Sequence, residues 1–158
     1  MSLRFEVTDS PTPDDLAVIG RNLGAFNTAD VGPSDKRDLA IFIRTEDRAI
    51  TGGLSGYTAW GWLYIQWLWI AEECRGQGLA ARLLTMAEQD SISRGCENAF
   101  IDTFNPTALK TYQRAGYEIF GTLPDFPKGR SRHWLQKRLS QPTGHPSLEP
   151  EPPSLSES

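Results

Sequence analysis

Cysteine is scarce in this sequence, and its two cysteines, Cys74 and Cys96, are too few to build a disulfide scaffold. Long apolar runs are also missing, since no stretch reaches the length that crosses a bilayer. The opening residues, MSLRFEVTDS, lack the apolar core of a signal peptide. We therefore expect a cytoplasmic protein with reduced thiols and no membrane partner.

The sequence also lacks a surplus of positive charge. It contains 16 Lys and Arg against 20 Asp and Glu, which gives a formal net charge of -4. Nucleic-acid-binding proteins usually carry a basic patch, so this balance gives no argument for a nucleic-acid partner. Histidine is represented only by His133 and His145, and no cluster of His, Cys and acidic residues has the spacing of metal ligands. We expect no metal site.

A strand, a glycine-rich turn and a helix follow one another between Leu63 and Arg94. Residues 63–70, LYIQWLWI, are aromatic or aliphatic except for Gln66, which predicts a central strand buried on both faces. Apolar residues then recur at helical spacing from Leu79 to Ala87. The turn between them, residues 75–78, places unpaired N–H groups at the start of the helix, where an anion such as phosphate binds well.

Four tryptophans crowd the same region of the predicted sheet, at Trp60, Trp62, Trp67 and Trp69. Strand alternation places Trp67 and Trp69 on the face opposite Leu68 and Ile70. We expect most of these indoles to pack in the core. The alternative is an aromatic wall that attracts an amine-bearing substrate by cation–π interaction.

Two motifs in this order resemble the GNAT superfamily of acyl-CoA-dependent N-acyltransferases. Arg75-x-x-Gly78-x-Ala80 resembles the R/Q-x-x-G-x-G/A signature of that family. The segment from Asn105 to Tyr117, NPTALKTYQRAGY, resembles its N-x-x-A-x-x-x-Y-x-x-x-G-F segment. Together the two motifs and their flanking elements cover about half of the chain.

The resemblance implies a fold and an activity. The fold is an α/β domain over residues 1–139 with a mixed, mostly antiparallel sheet that is splayed near its centre and flanked by helices. The activity is transfer of an acetyl group from acetyl-CoA to a primary amine of a small molecule, by direct attack in a ternary complex. A homodimer through the late strands is also compatible with the family. Residues 140–158 are rich in Pro, Ser and Glu, a composition that predicts a disordered tail.

The resemblance also assigns roles to individual residues. The backbone N–H of Leu68 would face the acetyl carbonyl as an oxyanion donor, and Tyr112 would act as the general acid that protonates the departing thiolate. Asn105 would cap its helix and contact the cofactor. The predicted cofactor-binding residues are Leu68, Trp69, Ile70, Arg75, Gly76, Gln77, Gly78, Leu79, Ala80, Asn105 and Tyr112.

The general base stays open at this stage. Many family members carry an acidic residue on the strand that binds the cofactor, which corresponds here to residues 63–70. In this sequence the nearby positions of that strand hold Tyr64, Gln66 and Trp67. Asp102, Asp125 or bulk water through a chain of waters are the alternatives, with His133 as a further one.

A basic loop with Lys128, Arg130 and Arg132 follows Asp125. This loop is either solvated or attracts a carboxylate or phosphate of the substrate.

Two other functions compete with acetyl transfer. Gly76-x-Gly78-x-x-Ala81 also fits the dinucleotide fingerprint, and Asp102, about 20 residues beyond the glycines, would then bind the ribose. The other alternative is a non-catalytic acyl-CoA-binding or regulatory module.

Hydrophobic periodicity and turn residues predict the helices and strands in the rest of the chain. A helix enters at Pro13 after a Thr12 cap, with Gly24 as its stop and a loop over residues 25–37. Strands are expected at residues 39–44, 49–60, 99–103, 117–123 and 133–139, and a helix begins at Pro106.

Overall fold

The computed structural model describes residues 1–139, so the predicted disordered tail at 140–158 lies outside the described residues. Three α-helices and six β-strands occur in this part of the chain. Their bounds are α1 (Pro13–Val31), β1 (Arg37–Arg44), β2 (Ile50–Ala59), β3 (Trp62–Ile70), α2 (Leu79–Ser93), β4 (Asn98–Thr103), α3 (Pro106–Arg114), β5 (Glu118–Leu123) and β6 (Arg132–Arg138). None of the helices among these residues is long and apolar enough to cross a membrane.

Helix α1 belongs to a first compact unit, Met1–Lys36, and all the strands belong to a second. The helix begins as predicted, because the Thr12 side chain accepts a hydrogen bond from the Asp15 N–H at 3.1 Å. The predicted stop at Gly24 is wrong, since α1 continues to Val31 and ends at Gly32, which has a φ of +91°. An interior glycine costs a helix only about 1 kcal/mol, so a single Gly does not terminate it.

The sheet is mixed and mostly antiparallel, as the sequence predicts. Its strand order is β1-β2-β3-β4-β6-β5. Among the strands of residues 1–139, only the β3–β4 pair is parallel; β1–β2, β2–β3, β4–β6 and β5–β6 are antiparallel. A dinucleotide-binding fold requires consecutive parallel strands around its glycine turn. The antiparallel meander before β3 therefore argues against that alternative.

The sheet splays between its two parallel strands. In β3, Trp62 through Ile65 pair with Asn98 through Ile101 of β4, and no pair between the two strands is formed beyond Ile65. The remainder of β3 stays paired with β2, so the two parallel strands separate from that point onward. A gap at the end of a parallel pair leaves backbone groups of β3 accessible from one side.

A β-bulge at Gln66 lies where the splay begins. Ser55 of β2 pairs with Trp67 and Gly56 pairs with Ile65, so Gln66 is an extra residue in β3. Without this extra residue, strict alternation along the strand would place the apolar side chains of the second half of β3 on the face opposite those of the first half. The bulge keeps the apolar side chains of both halves of β3 on the same face of the sheet.

That face of the sheet packs against α2 and α3. The core contains Leu39, Leu54, Leu63, Ile65, Ile70, Leu83, Leu84, Ala87, Cys96, Ala99, Ile101, Tyr112, Tyr117, Leu135 and Leu139. The opposite side chains of β3 are not buried: Trp67 is 71% exposed and Trp69 is 52% exposed. The prediction of burial on both faces is therefore wrong, and so is the predicted core packing of the tryptophans, because Trp60 and Trp62 are exposed as well. The helices that form the core cover only one face of β3.

A buried polar cluster connects α2 to the late strands. Glu88 on α2 accepts hydrogen bonds from the Tyr117 hydroxyl at 3.1 Å and from the Lys137 ammonium at 2.5 Å. Burial first, and then the charge of Glu88, raises the pKa of Tyr117. The carboxylate is thus paired rather than isolated, as a buried charge must be.

Candidate active site

A cleft of about 1240 Å³ occupies the gap where β3 and β4 separate. The cleft is bounded by the end of β3, the glycine turn, the start of α2, the end of β4 and one side of α3. Most of the predicted site residues line it, namely Leu68, Trp69, Ile70, Arg75, Gly76, Gly78, Leu79, Ala80, Asp102, Asn105 and Tyr112. Of the predicted residues, Gln77 and Asp125 are not among those that line the cleft.

The glycine turn presents unpaired N–H groups to the cleft. Gly76 and Gly78 have φ angles of +78° and +72°, a region that favours glycine over other residues. Gly78 is the N-cap of α2, no side chain among the described residues caps it, and the first turn carries no acid. The first helical bond from this end runs from the Arg82 N–H to the Gly78 carbonyl, which leaves the preceding donors free. A helix start of this kind suits a phosphate group.

Arg75 has a structural contact that the sequence did not predict. Its Nε donates a hydrogen bond to the Ile70 carbonyl at 3.0 Å, which ties the last residue of β3 to the turn. The terminal guanidinium nitrogens remain as the fork that suits an anion. Arg75 therefore links the position of the strand end to that of the glycine turn.

Tyr112 faces the cleft from α3. This helix begins at a cap that the sequence predicts: the Asn105 side chain accepts from the Thr107 N–H at 2.9 Å and from the Ala108 N–H at 3.1 Å. Tyr112 is 6% exposed. Burial first, and then the negative charge of Asp102, raises the pKa of Tyr112 to about 12. Its hydroxyl proton is therefore retained throughout the neutral and moderately alkaline range.

The raised pKa of Tyr112 predicts a loss of stability in alkali. An unfolded tyrosine ionises near pH 10 and the folded one near 12, so the folded state holds the proton longer and is favoured below pH 10. We expect Tyr112 to contribute up to roughly 3 kcal/mol of unfolding free energy that is lost as the pH rises from 10 to 12. Urea unfolding across this range measures it, and the Tyr112→Phe variant should show a shallower decline than the wild type. Equal slopes would contradict the raised pKa.

Asp102 lies at the point where the two parallel strands separate. It follows Ile101, the last residue of β4 that pairs with β3. One carboxylate oxygen lies 3.4 Å from the Tyr64 hydroxyl and the other lies 3.8 Å from Nε of Arg132. Burial first, and then the charge of Asp102, raises the pKa of Tyr64. Among the cleft-lining residues of the described chain, Asp102 is the only carboxylate.

The other two candidate bases have contacts elsewhere. The Asp125 carboxylate accepts a hydrogen bond from the Gly129 N–H at 3.2 Å, within its own loop. His133 Nδ1 lies 2.9 Å from the Thr122 hydroxyl oxygen. Neither residue is among those that line the cleft.

Two residues of the cleft have roles that sequence reasoning did not assign. Tyr64 stacks on Phe100, with ring centroids 4.5 Å apart, and its hydroxyl contacts Asp102. Phe104 lies beneath the guanidinium of Arg132. The sequence feature that could have indicated part of this arrangement is strand alternation, which places Phe100 and Asp102 on one face of β4. The β3–β4 register that brings Tyr64 to them is a tertiary feature.

Within residues 1–139, no group of three or more His, Cys, Asp and Glu side chains is arranged to hold a metal ion.

Comparison with known proteins gives consistent matches. Residues 16–117 match the model of the acetyltransferase (GNAT) family. A curated acetyltransferase from Agrobacterium fabrum is 48% identical over 137 residues, which cover 87% of this chain and 100% of that protein. Blasticidin-S acetyltransferase from Streptomyces morookaense is 37% identical over 101 residues, 63% of this chain and 74% of that protein. A crystal structure described as a candidate acetyltransferase from Agrobacterium tumefaciens has a TM-score of 0.83 and 48% identity, with 86% of this chain and 99% of that chain covered.

Proposed function

The chain belongs to the GNAT family of acetyltransferases, and we propose that it transfers an acetyl group from acetyl-CoA to a primary amine of a small molecule by direct attack in a ternary complex. The observation that carries this proposal is a single cleft that runs from the glycine turn to Tyr112 and Asp102. The relative named for blasticidin S supports a small-molecule acceptor, because its name specifies one compound.

The unpaired donors of the glycine turn fit the pyrophosphate of acetyl-CoA. The N–H groups at residues 76–80 would hold it, with the terminal nitrogens of Arg75 beside it. Glycine at positions 76 and 78 leaves open space where a Cβ would otherwise project. The free edge of β3 at residues 68–70 would bind the pantetheine amides. Acetyl-CoA supplies the activated thioester, and the remaining contributions come from the chain.

The backbone N–H of Leu68 is the proposed oxyanion donor. Leu68 lies in the part of β3 that no longer pairs with β4 and that lines the cleft. Its N–H would have no competing acceptor in β4, so it can donate a hydrogen bond to the acetyl oxygen. One preorganised donor of this kind contributes on the order of 3 kcal/mol to lowering the barrier.

Tyr112 is the proposed hydrogen-bond donor to the departing thiolate. Because its pKa is raised to about 12, the phenol stays protonated and remains a hydrogen-bond donor. Complete proton transfer to a thiolate, whose conjugate acid has a pKa of about 8.5, would be uphill by roughly 5 kcal/mol. We therefore infer that Tyr112 stabilises the thiolate by a strong hydrogen bond while the proton stays on the phenol.

Asp102 is the proposed base. The attacking amine must be neutral and must lose a proton once the new C–N bond forms. Asp102 lies in the cleft, whereas Asp125 is bonded within its own loop. We assign the proton to the Asp102 carboxylate, either directly or through one water.

The proposal extends to the organisation of the chain. Residues 1–139 would form the acyltransferase domain of a cytoplasmic enzyme. A homodimer through the late strands is supported by β5, which is an edge strand with exposed Ile119, Phe120 and Leu123.

Thermal unfolding with acetyl-CoA, free CoA and NADH in parallel tests the cofactor. A ligand at 100 times its Kd that binds only the folded state stabilises it by about 2.7 kcal/mol, which raises Tm by several degrees. We expect such a shift with acetyl-CoA and with CoA, and none with NADH. A shift with NADH alone would contradict the proposal.

A matched pair of arginine variants sharpens this test. Arg75→Ala should reduce the shift produced by acetyl-CoA, because Arg75 lines the cleft. Arg82→Ala is the control, since Arg82 lies on the exposed side of α2 and is not among the cleft-lining residues. Equal shifts in the two variants would remove Arg75 from the phosphate site.

A further inference from the structure

Arg132, the first residue of β6, lies over two phenylalanine rings. Its guanidinium carbon lies 4.0 Å from the ring centroid of Phe126 and 5.0 Å from that of Phe104. Its side chain is 23% exposed and lines the cleft. Aromatic rings stabilise a guanidinium through its π face and leave the N–H groups at its edge free to bind.

The edge of this guanidinium is largely unused. Nε lies 3.8 Å from the Asp102 carboxylate, makes no hydrogen bond and is buried. In the part of the chain that the structure describes, the terminal nitrogens Nη1 and Nη2 of Arg132 are not in any hydrogen bond or ion pair. A charged group with five donors usually satisfies them when it is partly buried. These free donors open onto the cleft that also contains Asp102.

The loop before β6 holds Phe126 in place. The Phe126 N–H donates to the Arg130 carbonyl at 3.1 Å, and the Arg130 N–H donates to the Pro127 carbonyl at 2.9 Å. The Asp125 carboxylate closes the same turn through the Gly129 N–H, and the Phe126 ring stacks on Trp134 with centroids 6.5 Å apart. The plane of Arg132 is thereby fixed before any ligand arrives, which lowers the entropy cost of binding.

We propose that Arg132 binds an anionic group of the acceptor, a carboxylate or a phosphate, and that the preferred acceptors are amines that carry such a group close to the amine. This inference rests on the proposed function, because it concerns the acceptor of that same site. Arg132 and Asp102 lie side by side, so a substrate that is a zwitterion meets the opposite charge at each end. A planar fork of donors matches the two oxygens of a carboxylate or phosphate better than an ammonium does.

The alternative is that Arg132 serves only to orient Asp102. The two roles predict different results, because orientation of the base affects every acceptor, whereas anion binding affects only acceptors that carry the anion. Pairs of acceptors that differ only in the anionic group therefore distinguish the two roles of Arg132.

The experiment measures CoA release with paired acceptors at constant acetyl-CoA. One arm compares α-amino acids and short ω-amino acids with their carboxamides. The other arm compares aminoalkyl phosphates with the corresponding amino alcohols. Charge-assisted hydrogen bonds predict that the wild type prefers the anionic member of a pair by about 10-fold to 100-fold in kcat/KM. The arm of the experiment that shows the larger preference for the anionic acceptor identifies whether Arg132 binds a carboxylate or a phosphate.

The variants Arg132→Met and Arg132→Lys then test the residue. Arg132→Met should raise KM for the anionic acceptor at least tenfold and leave KM for its neutral partner and the acetyl-CoA thermal shift unchanged. Arg132→Lys keeps the charge and should restore part of the preference. Lys128→Met is the control, because Lys128 lies in the loop just before β6, is exposed and does not line the cleft.

Four results would overturn the inference. A wild type without preference for the anionic member would do so directly. An equal loss on both members in Arg132→Met would show that Arg132 acts only through Asp102. If neutral amines alone are acetylated, the proposed function stands and the inference fails; if no acceptor is acetylated although acetyl-CoA binds, both fail.

Discussion

The Tyr112→Phe variant is expected to lose on the order of 100-fold or more in the single-turnover rate of acetyl transfer, with unchanged affinity for acetyl-CoA. Tyr112 is buried and its ring packs against Tyr117, with centroids 6.5 Å apart. Phenylalanine retains that packing and removes only the hydroxyl. The loss would therefore report the hydrogen bond to the departing thiolate, and rapid-quench measurement of CoA release with saturating acceptor is the test.

Tyr117→Phe is the matched control for this prediction. It also removes one buried hydroxyl, but that hydroxyl donates to Glu88 and Tyr117 does not line the cleft. We expect Tyr117→Phe to lower the unfolding free energy by about 1 kcal/mol and to leave the transfer rate nearly unchanged. A Tyr112→Phe rate within threefold of the wild type would mean that the thiolate leaves without help from this residue.

Gly56→Ala is expected to destabilise the protein by on the order of 4 kcal/mol or more. Gly56 pairs with Ile65 beside the bulge at Gln66, and a Cβ at this position would lie 1.9 Å from the Tyr64 carbonyl oxygen. Backbone atoms cannot move aside as a flexible side chain does, so β2 and β3 would have to separate. Urea unfolding monitored by circular dichroism measures the change as a lower midpoint at constant m-value.

Gly121→Ala is the control for the Gly56 variant. Gly121 lies in the edge strand β5, and a Cβ built there meets nothing within 4 Å. Its substitution should change the unfolding free energy by less than about 0.5 kcal/mol. If Gly56→Ala is as stable as Gly121→Ala, the close approach of β2 and β3 at the bulge is wrong. If it folds but no longer responds to acetyl-CoA, the bulge is required for the cleft.

Local patterns were sufficient for most of the secondary structure and for the side of the cleft that the glycine turn forms. The strand, turn and helix around Gly78 are adjacent in the chain, so their geometry follows from residues that are neighbours in sequence. The Asn105 cap and the Pro106 start of α3 are local for the same reason. The end of α1 was missed because one interior glycine carries too little energy to stop a helix on its own.

The side of the cleft that Asp102 and Arg132 form depends on contacts between distant parts of the chain. The contact of Tyr64 with Asp102 spans 38 positions in sequence and exists only through the β3–β4 register. The alignment of Arg132 with Phe104 and Phe126 depends on the β4–β6 pairing and on the loop before β6. Single-sequence patterns carry no information on the register between strands, so from the sequence Asp102 and Asp125 were equally good candidates for the base. In the structure Asp102 lines the cleft, whereas Asp125 is hydrogen-bonded within its own loop.

The sequence alone determined the order of elements, the glycine turn with its unpaired donors and the family resemblance, because these follow from periodicity and from residues close together in the chain. Only the tertiary structure decided where β3 and β4 part, which face of β3 is covered and which charges meet in the cleft. The physical reason is that strand register and packing are set by the whole sheet and the helices on it. The proposed acceptor preference therefore depends on the tertiary structure, whereas the proposed cofactor follows from motifs that are local in the sequence.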